Sequence, residues 1–132
     1  MGTRSMIGMV EADGSVSAIY CHWDGYIAHN GKILDEHYDS DVKVAELLAL
    51  GLVSSLGVNL EPENTKPLDG GDCAWAAELY ESIAEYRKGL GDNSDEFRYL
   101  WDGAAWFYIS EKQDVWDDVR EGLKDIPRAE VA

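Results

Sequence analysis

Residues 6–26 have the sequence MIGMVEADGSVSAIYCHWDGY, in which two apolar runs flank a short acidic segment. Asp13-Gly14 lies in the middle of that segment. Glycine tolerates the positive φ of tight turns, so Asp-Gly between apolar runs is typical of a β-hairpin. The sequence therefore predicts an N-terminal hairpin over about 5–23.

The second strand of this hairpin ends in the chain's densest run of chemically versatile side chains. Residues 20–26, YCHWDGY, contain a thiol, an imidazole, a carboxylate, an indole and two phenols. A strand end that opens into a loop is a common position for binding residues. A turn at Asp24-Gly25 and packing of the aromatic rings explain the same residues without any ligand. Both interpretations, a binding site and a folding signature, stay open.

The cysteine and histidine residues do not have the spacing of a metal site. Structural zinc is held by pairs of ligands two to four residues apart, whereas Cys21 and His22 are adjacent. Neighbours on a strand point to opposite faces of the sheet. The chain also has no HExxH motif. We therefore expect no metal, no cofactor and no catalytic residue, with a small hydrolase built on His22 and Asp24 as a second alternative.

Composition is typical of a globular protein. The chain has 132 residues, of which 45% are hydrophobic, which is enough for one core. We expect a single domain over 1–132. Two cysteines 52 positions apart do not form a disulfide framework, and no apolar run resembles a signal or membrane-spanning segment. These features predict a reducing compartment, and hence a cytoplasmic location.

The net charge of −15 is the strongest global feature, and the acidic residues are spread along the chain. A domain with this charge repels nucleic acid and membrane surfaces and attracts basic surfaces, including the phosphate-binding grooves of nucleic-acid enzymes. Acidity also serves solubility alone. Charge therefore predicts a protein partner with a basic surface and neither direct nucleic-acid nor membrane binding. The five tryptophans would equally suit a homodimer interface.

Three segments show helical periodicity, in which apolar residues recur every three or four positions. The first is about 41–50, with Val44, Leu47 and Leu48 as its apolar face. Asp39-Ser40 would cap this helix and Gly51 would end it. The other two are 74–88 and 114–124. Their apolar positions are Trp75, Leu79, Ile83 and Tyr86 in the former, and Val115, Val119 and Leu123 in the latter.

A second hairpin is predicted over 97–110, where Asp102-Gly103 separates two aromatic runs. Segments 27–32, 52–60 and 61–73 are expected to be loops, and 33–38 a short helical turn, while Asp114 would cap the last helix. These elements predict an α+β fold. It would have a small antiparallel sheet built from two β-hairpins (about 5–23 and 97–110), with about three helices packed on one face.

Binding residues are expected in two places. The first is the stretch at the end of the second strand, together with Arg4, Ser5 and Tyr38. The second is one side of the 74–88 helix, where acidic residues recur at helical spacing. Those acids are a carboxylate ladder for a basic partner or an ordinary solvated face. The candidate ligand- or partner-binding residues are Arg4, Ser5, His22, Trp23, Asp24, Tyr26, Tyr38, Glu78, Glu81 and Glu85.

The N-terminal half resembles a family of small uncharacterised proteins encoded by bacteriophages and prophages. Their pattern is TRSxIG…DGS…YCHWDGY…G…L…HY, and ALGLVSSLG at 49–57 is similar too. The similarity covers about the first 60 residues and is poor beyond them, where the relatives carry a strand near the predicted 74–88 helix. The family has no established catalytic residues. The resemblance implies a phage accessory protein acting in the cytoplasm of a bacterial host.

Charge, aromatic content and this resemblance together predict a non-enzymatic protein that binds and modulates a host or defence protein. An anti-CRISPR or other anti-defence inhibitor is such a protein, and an acidic one could act by mimicking nucleic acid. The alternative is a small-ligand binding protein that uses 21–26. In that case the aromatic rings would stack on the base of a nucleotide signal while Arg4 meets its phosphate.

Overall fold

A computed structural model describes residues 3–51, 53–60, 66–67, 77–92, 95–113 and 115–124, and they adopt an α+β fold, as predicted. The strands are β1 (Ser5–Val10), β2 (Val16–Cys21), β3 (Val53–Ser55), β4 (Lys66–Pro67), β5 (Glu78–Tyr80), β6 (Phe97–Trp101), β7 (Trp106–Ser110) and β8 (Asp117–Asp118). The helices are α1 (Lys32–His37), α2 (Asp41–Leu48), α3 (Ile83–Lys88) and α4 (Val119–Lys124), and a π-helical turn (Ile27–Gly31) precedes α1.

The strands form one mixed sheet in the order β4-β3-β2-β1-β6-β7-β8, with β5 pairing alongside the first half of β2. Both predicted hairpins are present, as the antiparallel pairs β1–β2 and β6–β7. They join through parallel pairing of β1 with β6, from Ser5 opposite Phe97 to Met9 opposite Trp101. The sheet is therefore larger than two hairpins, and it is mixed rather than antiparallel.

Side-chain alternation gives the central strands two buried faces. Ile7 and Tyr99 lie on one face, in the larger apolar cluster, which also takes side chains from α1, α2 and α4. Met6 and Leu100 lie on the other face, around the buried Tyr86 of α3. Helices therefore cover both faces, and the expectation that they all pack on one face is wrong for α3.

Helix α2 begins and ends close to where the sequence predicted. The Ser40 hydroxyl accepts a hydrogen bond from the backbone N–H of Lys43 at 3.2 Å, which satisfies one of the donors that a helix start leaves unpaired. Gly51 follows the helix with a φ of 72°, a conformation that favours glycine and stops the helix. The buried apolar face is also the predicted one: Val44, Leu47 and Leu48.

The two other predicted helices are much shorter than expected, because β-strands occupy positions inside the predicted segments. Residues 78–80 pair with 16–18 as β5, and α3 begins only after Ser82. Residues 117–118 pair with β7 as β8, so α4 begins at Val119. Helical spacing is a local signal, and a neighbouring strand with a free hydrogen-bonding edge overrides it.

Three segments expected to be loops contain short regular elements. Residues 27–31 form the π-helical turn, 53–55 form β3, and Lys66–Pro67 form β4. The rest of the 61–73 loop, the predicted start of the second helix with Trp75, and the predicted cap Asp114 lie outside the described residues. No helix among the described residues is long and apolar enough to cross a membrane.

A buried ion pair lies at the C-terminal end of α3, and the sequence did not indicate it. The side chains of Arg98 and Asp95 are fully buried, with Nε and Oδ2 2.7 Å apart. Arg98 also donates hydrogen bonds to the carbonyls of Tyr86 and Gly89, at 2.7 and 2.6 Å. Its guanidinium carbon lies 5.1 Å from the centre of the Tyr86 ring. Arg98 therefore supplies side-chain donors to the Tyr86 and Gly89 carbonyls at the end of α3, where the helix runs out of backbone donors.

Candidate functional site

The loop that follows β2 is held in place by backbone hydrogen bonds. The N–H of Gly25 donates to the carbonyl of Thr3 at 2.7 Å, and its own carbonyl accepts from the buried Tyr99 hydroxyl at 2.6 Å. A Cβ at position 25 would lie 2.7 Å from the Cβ of Ser5, so only glycine fits there. Asp24 has a φ of 57°, in the left-handed region that Asp and Asn adopt more readily than most residues.

The second Trp-Asp-Gly, at 101–103, forms a different turn. There Gly103 has the positive φ, of 102°, and the Asp102 carboxylate accepts from the backbone N–H groups of Ala104 and Ala105, each at 2.9 Å. Trp101 is buried and its indole donates to an Asp41 carboxylate oxygen at 2.8 Å. The same tripeptide therefore leaves its tryptophan exposed only in the loop after β2.

A buried polar cluster of Ser5, Cys21 and Asn30 lies within this part of the fold. All three residues are fully buried, and the Asn30 amide nitrogen lies 3.3 Å from both the Ser5 hydroxyl and the Cys21 sulfur. Among the described residues, every buried side-chain nitrogen or oxygen has a hydrogen-bond partner. Ser5, one of the predicted binding residues, is therefore part of the scaffold, and so is Cys21.

Burial raises the pKa of the Cys21 thiol to about 11, from an ordinary value of 9.0. A raised pKa keeps the thiol neutral, so its reactive thiolate should be about 100-fold scarcer at pH 8 than in an ordinary cysteine. In a Cys73→Ser variant we expect iodoacetamide to label Cys21 at least ~100-fold more slowly in the native state than in urea. The native rate should keep rising up to about pH 11. Mass spectrometry of timed samples measures both rates, and equal rates would show that the thiol is accessible.

The outward-facing side chains of the loop are two aromatic rings and a carboxylate. Trp23 and Tyr26 expose 42% and 41% of their surface. The Trp23 indole meets the His22 ring edge-on, with centroids 4.8 Å apart. Partial desolvation, the negative charge of Asp24 and a hydrogen bond from the Tyr26 hydroxyl to that carboxylate raise the pKa of Tyr26. We call Trp23, Asp24 and Tyr26 the aromatic loop.

Arg4 and His22 meet through Tyr20 rather than through a ligand site. Burial raises the pKa of Tyr20, and the charge and hydrogen bond of Arg4 oppose that rise. The Tyr20 hydroxyl also lies 3.0 Å from Nδ1 of His22, within hydrogen-bond distance. Among the described residues, the hydrogen-bond partner of the His22 ring is therefore the Tyr20 hydroxyl.

Tyr38 belongs to a separate cleft. Its side chain is buried and its hydroxyl donates to the carbonyl of Gly57 at 2.9 Å. The cleft has a volume of about 620 Å³ and no lining residue from 20–26. The small-ligand set predicted around 21–26 is therefore divided among the buried cluster, the Tyr20 contacts, the aromatic loop and this cleft.

The three predicted ladder acids are exposed, but they do not share a helix. Glu78 lies on β5, Glu81 in the following turn and Glu85 in the first turn of α3. Glu78 accepts a hydrogen bond from the Tyr80 hydroxyl at 2.7 Å. The prediction of a ladder on one helix face is wrong, because the segment changes from strand to helix between the first acid and the third.

Among the described residues, no group of three or more His, Cys, Asp or Glu side chains is placed to hold a metal ion. The resemblance to phage proteins rests on the N-terminal sequence pattern. No family model, no curated protein and no solved structure matches the chain.

Proposed function

We propose that this chain is a non-enzymatic binding protein that docks on a basic surface of a host or defence protein in the bacterial cytoplasm, as a phage-encoded anti-defence inhibitor would. One observation carries this proposal: the aromatic loop exposes Trp23 and Tyr26 beside Asp24, on a backbone anchored by Gly25. Aromatic side chains on a rigid backbone supply large contact areas at low entropic cost, and they are frequent energetic centres of protein interfaces.

Exposed carboxylates supply the electrostatic part of the proposal. With a net charge of −15, the protein attracts basic surfaces and repels nucleic acid and membranes. A groove that binds nucleic acid would be complementary to such a surface. The exposed acids of the described chain are Asp13, Glu36, Asp39, Asp41, Glu46, Glu78, Glu81, Glu85, Asp92, Glu96, Asp102, Glu111, Asp117 and Glu121.

Affinity purification from bacterial lysate, with the bound proteins identified by mass spectrometry, tests this function. We expect a stoichiometric protein partner that is released between about 0.05 and 0.5 M salt, because exposed charges are screened over that range. Trp23→Ser should abolish its capture, and a Glu78→Gln/Glu81→Gln/Glu85→Gln variant should weaken it. Glu111→Gln, which removes one exposed acid far along the sequence, is the control. Capture that is equal at both salt concentrations, or unchanged by Trp23→Ser, would contradict the proposal.

A small-ligand function has one observation in its favour, the cleft between the end of α1, one side of α2 and residues 58–60. Its volume of about 620 Å³ lies within the range of roughly 300–1,000 Å³ that is usual for ligand sites. Lys43, Glu46 and Val58 line it, so it offers both charges and an apolar wall. A small molecule released from the purified protein on denaturation, absent from Val58→Asp and retained by Trp23→Ser, would favour this function. Its presence in both variants, or in neither, would exclude the cleft.

A further inference from the structure

We propose that the aromatic loop is a receptor for one arginine side chain of the partner, with the guanidinium group held between the Asp24 carboxylate and the Trp23 indole. This inference rests on the binding function proposed above. It specifies which chemical group of the partner the loop receives.

The carboxylate of Asp24 is available to a cation. Among the described residues, the ion pairs join other acids to His37, Lys43, Arg98 and Arg120, and none involves Asp24. The Tyr26 hydroxyl donates one hydrogen bond to Asp24, whereas a carboxylate offers about four lone-pair positions. Asp24 is also only partly buried, so a partner can reach it.

The residue next to Asp24 in the sequence carries the ring that best binds a cation. Tryptophan has the strongest cation–π attraction of the aromatic side chains, and Trp23 exposes 42% of its surface. The edge-on contact with His22, at 4.8 Å, leaves the indole partly exposed while restricting its orientation. Tyr26 adds a second exposed ring on the other side of Asp24 in the sequence.

Arginine fits this arrangement better than lysine does. The guanidinium group is planar, so it can stack on an indole while two of its N–H groups face one carboxylate. The backbone under Asp24 is already fixed by Gly25 and by the left-handed φ of 57°. Little ordering is therefore left to occur on binding, and the geometry of the site precedes the ligand.

Nuclear magnetic resonance of the full ¹⁵N-labelled chain tests this site with N-acetyl-arginine amide and N-acetyl-lysine amide as probes. The Trp23 indole signal is assigned with Trp23→Phe. We expect it to shift saturably with arginine amide, with a dissociation constant on the order of 1 mM for so small a ligand. Lysine amide should bind at least about threefold more weakly, because it cannot stack or form two parallel hydrogen bonds.

Two variants and one control isolate the site. Asp24→Asn keeps a residue type that tolerates the left-handed backbone but removes the charge, and it should weaken arginine amide binding about tenfold. Trp23→Leu keeps an apolar side chain without the π face; it should weaken binding similarly, measured on the Asp24 amide signal. Glu111→Gln, an exposed acid in the turn after β7, should change binding less than about twofold.

A nona-arginine peptide separates this inference from the function on which it rests. If the peptide binds in a salt-dependent way while Trp23 gives no response and Asp24→Asn binds equally well, the arginine site is wrong. The binding function is then decided separately, by whether Trp23→Ser abolishes capture of a protein partner. If neither the peptide nor arginine amide binds at low salt, both proposals fail. Saturable Trp23 shifts that Asp24→Asn and Trp23→Leu both weaken would establish the site.

Discussion

Replacing Arg98 with methionine is expected to lower the free energy of unfolding by about 3–5 kcal/mol. Methionine fills a similar volume, but it leaves the fully buried Asp95 without its cationic partner. The carbonyls of Tyr86 and Gly89 also lose their charged donor at the end of α3. A buried charge or carbonyl that is not satisfied keeps its desolvation penalty, which is why breaking one side of such a pair is so unfavourable.

Arg120→Met is the matched control for this substitution. Arg120 makes an ion pair with Asp35 at 2.8 Å, close to the 2.7 Å of the Arg98–Asp95 pair, but the Arg120 side chain is 71% exposed. An exposed pair is screened by water and contributes little to stability. Urea unfolding of both variants, followed by circular dichroism, gives the comparison. Equal effects of the two substitutions would show that burial of the Arg98–Asp95 pair is not what stabilises the end of α3.

Gly25→Ala is expected to destabilise the protein by about 1–3 kcal/mol, the usual effect of overpacking a well-filled interior. The added Cβ would lie 2.7 Å from the Cβ of Ser5 and 2.9 Å from the carbonyl oxygen of Thr3. One of these atoms is a Cβ and the other is a backbone oxygen, so neither can move aside as the end of a flexible side chain could. The loop itself must therefore move to relieve the contact. The hydrogen bond from the Tyr99 hydroxyl to the Gly25 carbonyl would then be strained or lost.

Gly14→Asn separates this steric effect from the general effect of replacing a turn glycine. Gly14 has a φ of 89° and open space around the position of a Cβ, and asparagine tolerates positive φ better than most residues. We expect it to change stability much less than Gly25→Ala does. Urea unfolding measures both, and the Trp23 indole signal reports the loop. A Gly25→Ala protein with wild-type stability and an unshifted Trp23 signal would show that the close approach of Thr3 and Ser5 does not fix the loop.

The candidate site was predictable from sequence as a stretch but not as a set of side chains. Residues 20–26 stand out by composition, and the chain does leave the sheet there, after β2 ends at Cys21. Ser5 was predicted to bind and instead lies fully buried beside Asn30. The sequence predicted Asn30 only as part of an Asn-Gly turn, because its contacts with Ser5 and Cys21 depend on the π-helical turn that brings it to them. Which side chains are exposed depends on how the whole chain packs. The sequence alone therefore could not show that Ser5 is buried while Trp23 is exposed.

The sequence by itself determined the elements whose signals are local. Asp13-Gly14 and Asp102-Gly103 specify two turns, and both hairpins form around them. Ser40 starts α2 through a hydrogen bond to a residue only three positions away. Each of these signals acts within a few residues, so neighbouring chain segments do not alter it.

The tertiary structure alone decided what depends on distant partners. Residues 78–80 and 117–118 have helical spacing in the sequence, yet they are strands because β2 and β7 offer them hydrogen-bonding edges. The parallel pairing of β1 with β6 joins hairpins about ninety residues apart in the chain. The burial of Arg98 beneath α3 likewise follows from that assembly. Buried backbone groups need hydrogen-bond partners and the core must be closely packed. In this fold the partners and the packing come from segments that are distant in the sequence, so local sequence patterns do not predict them.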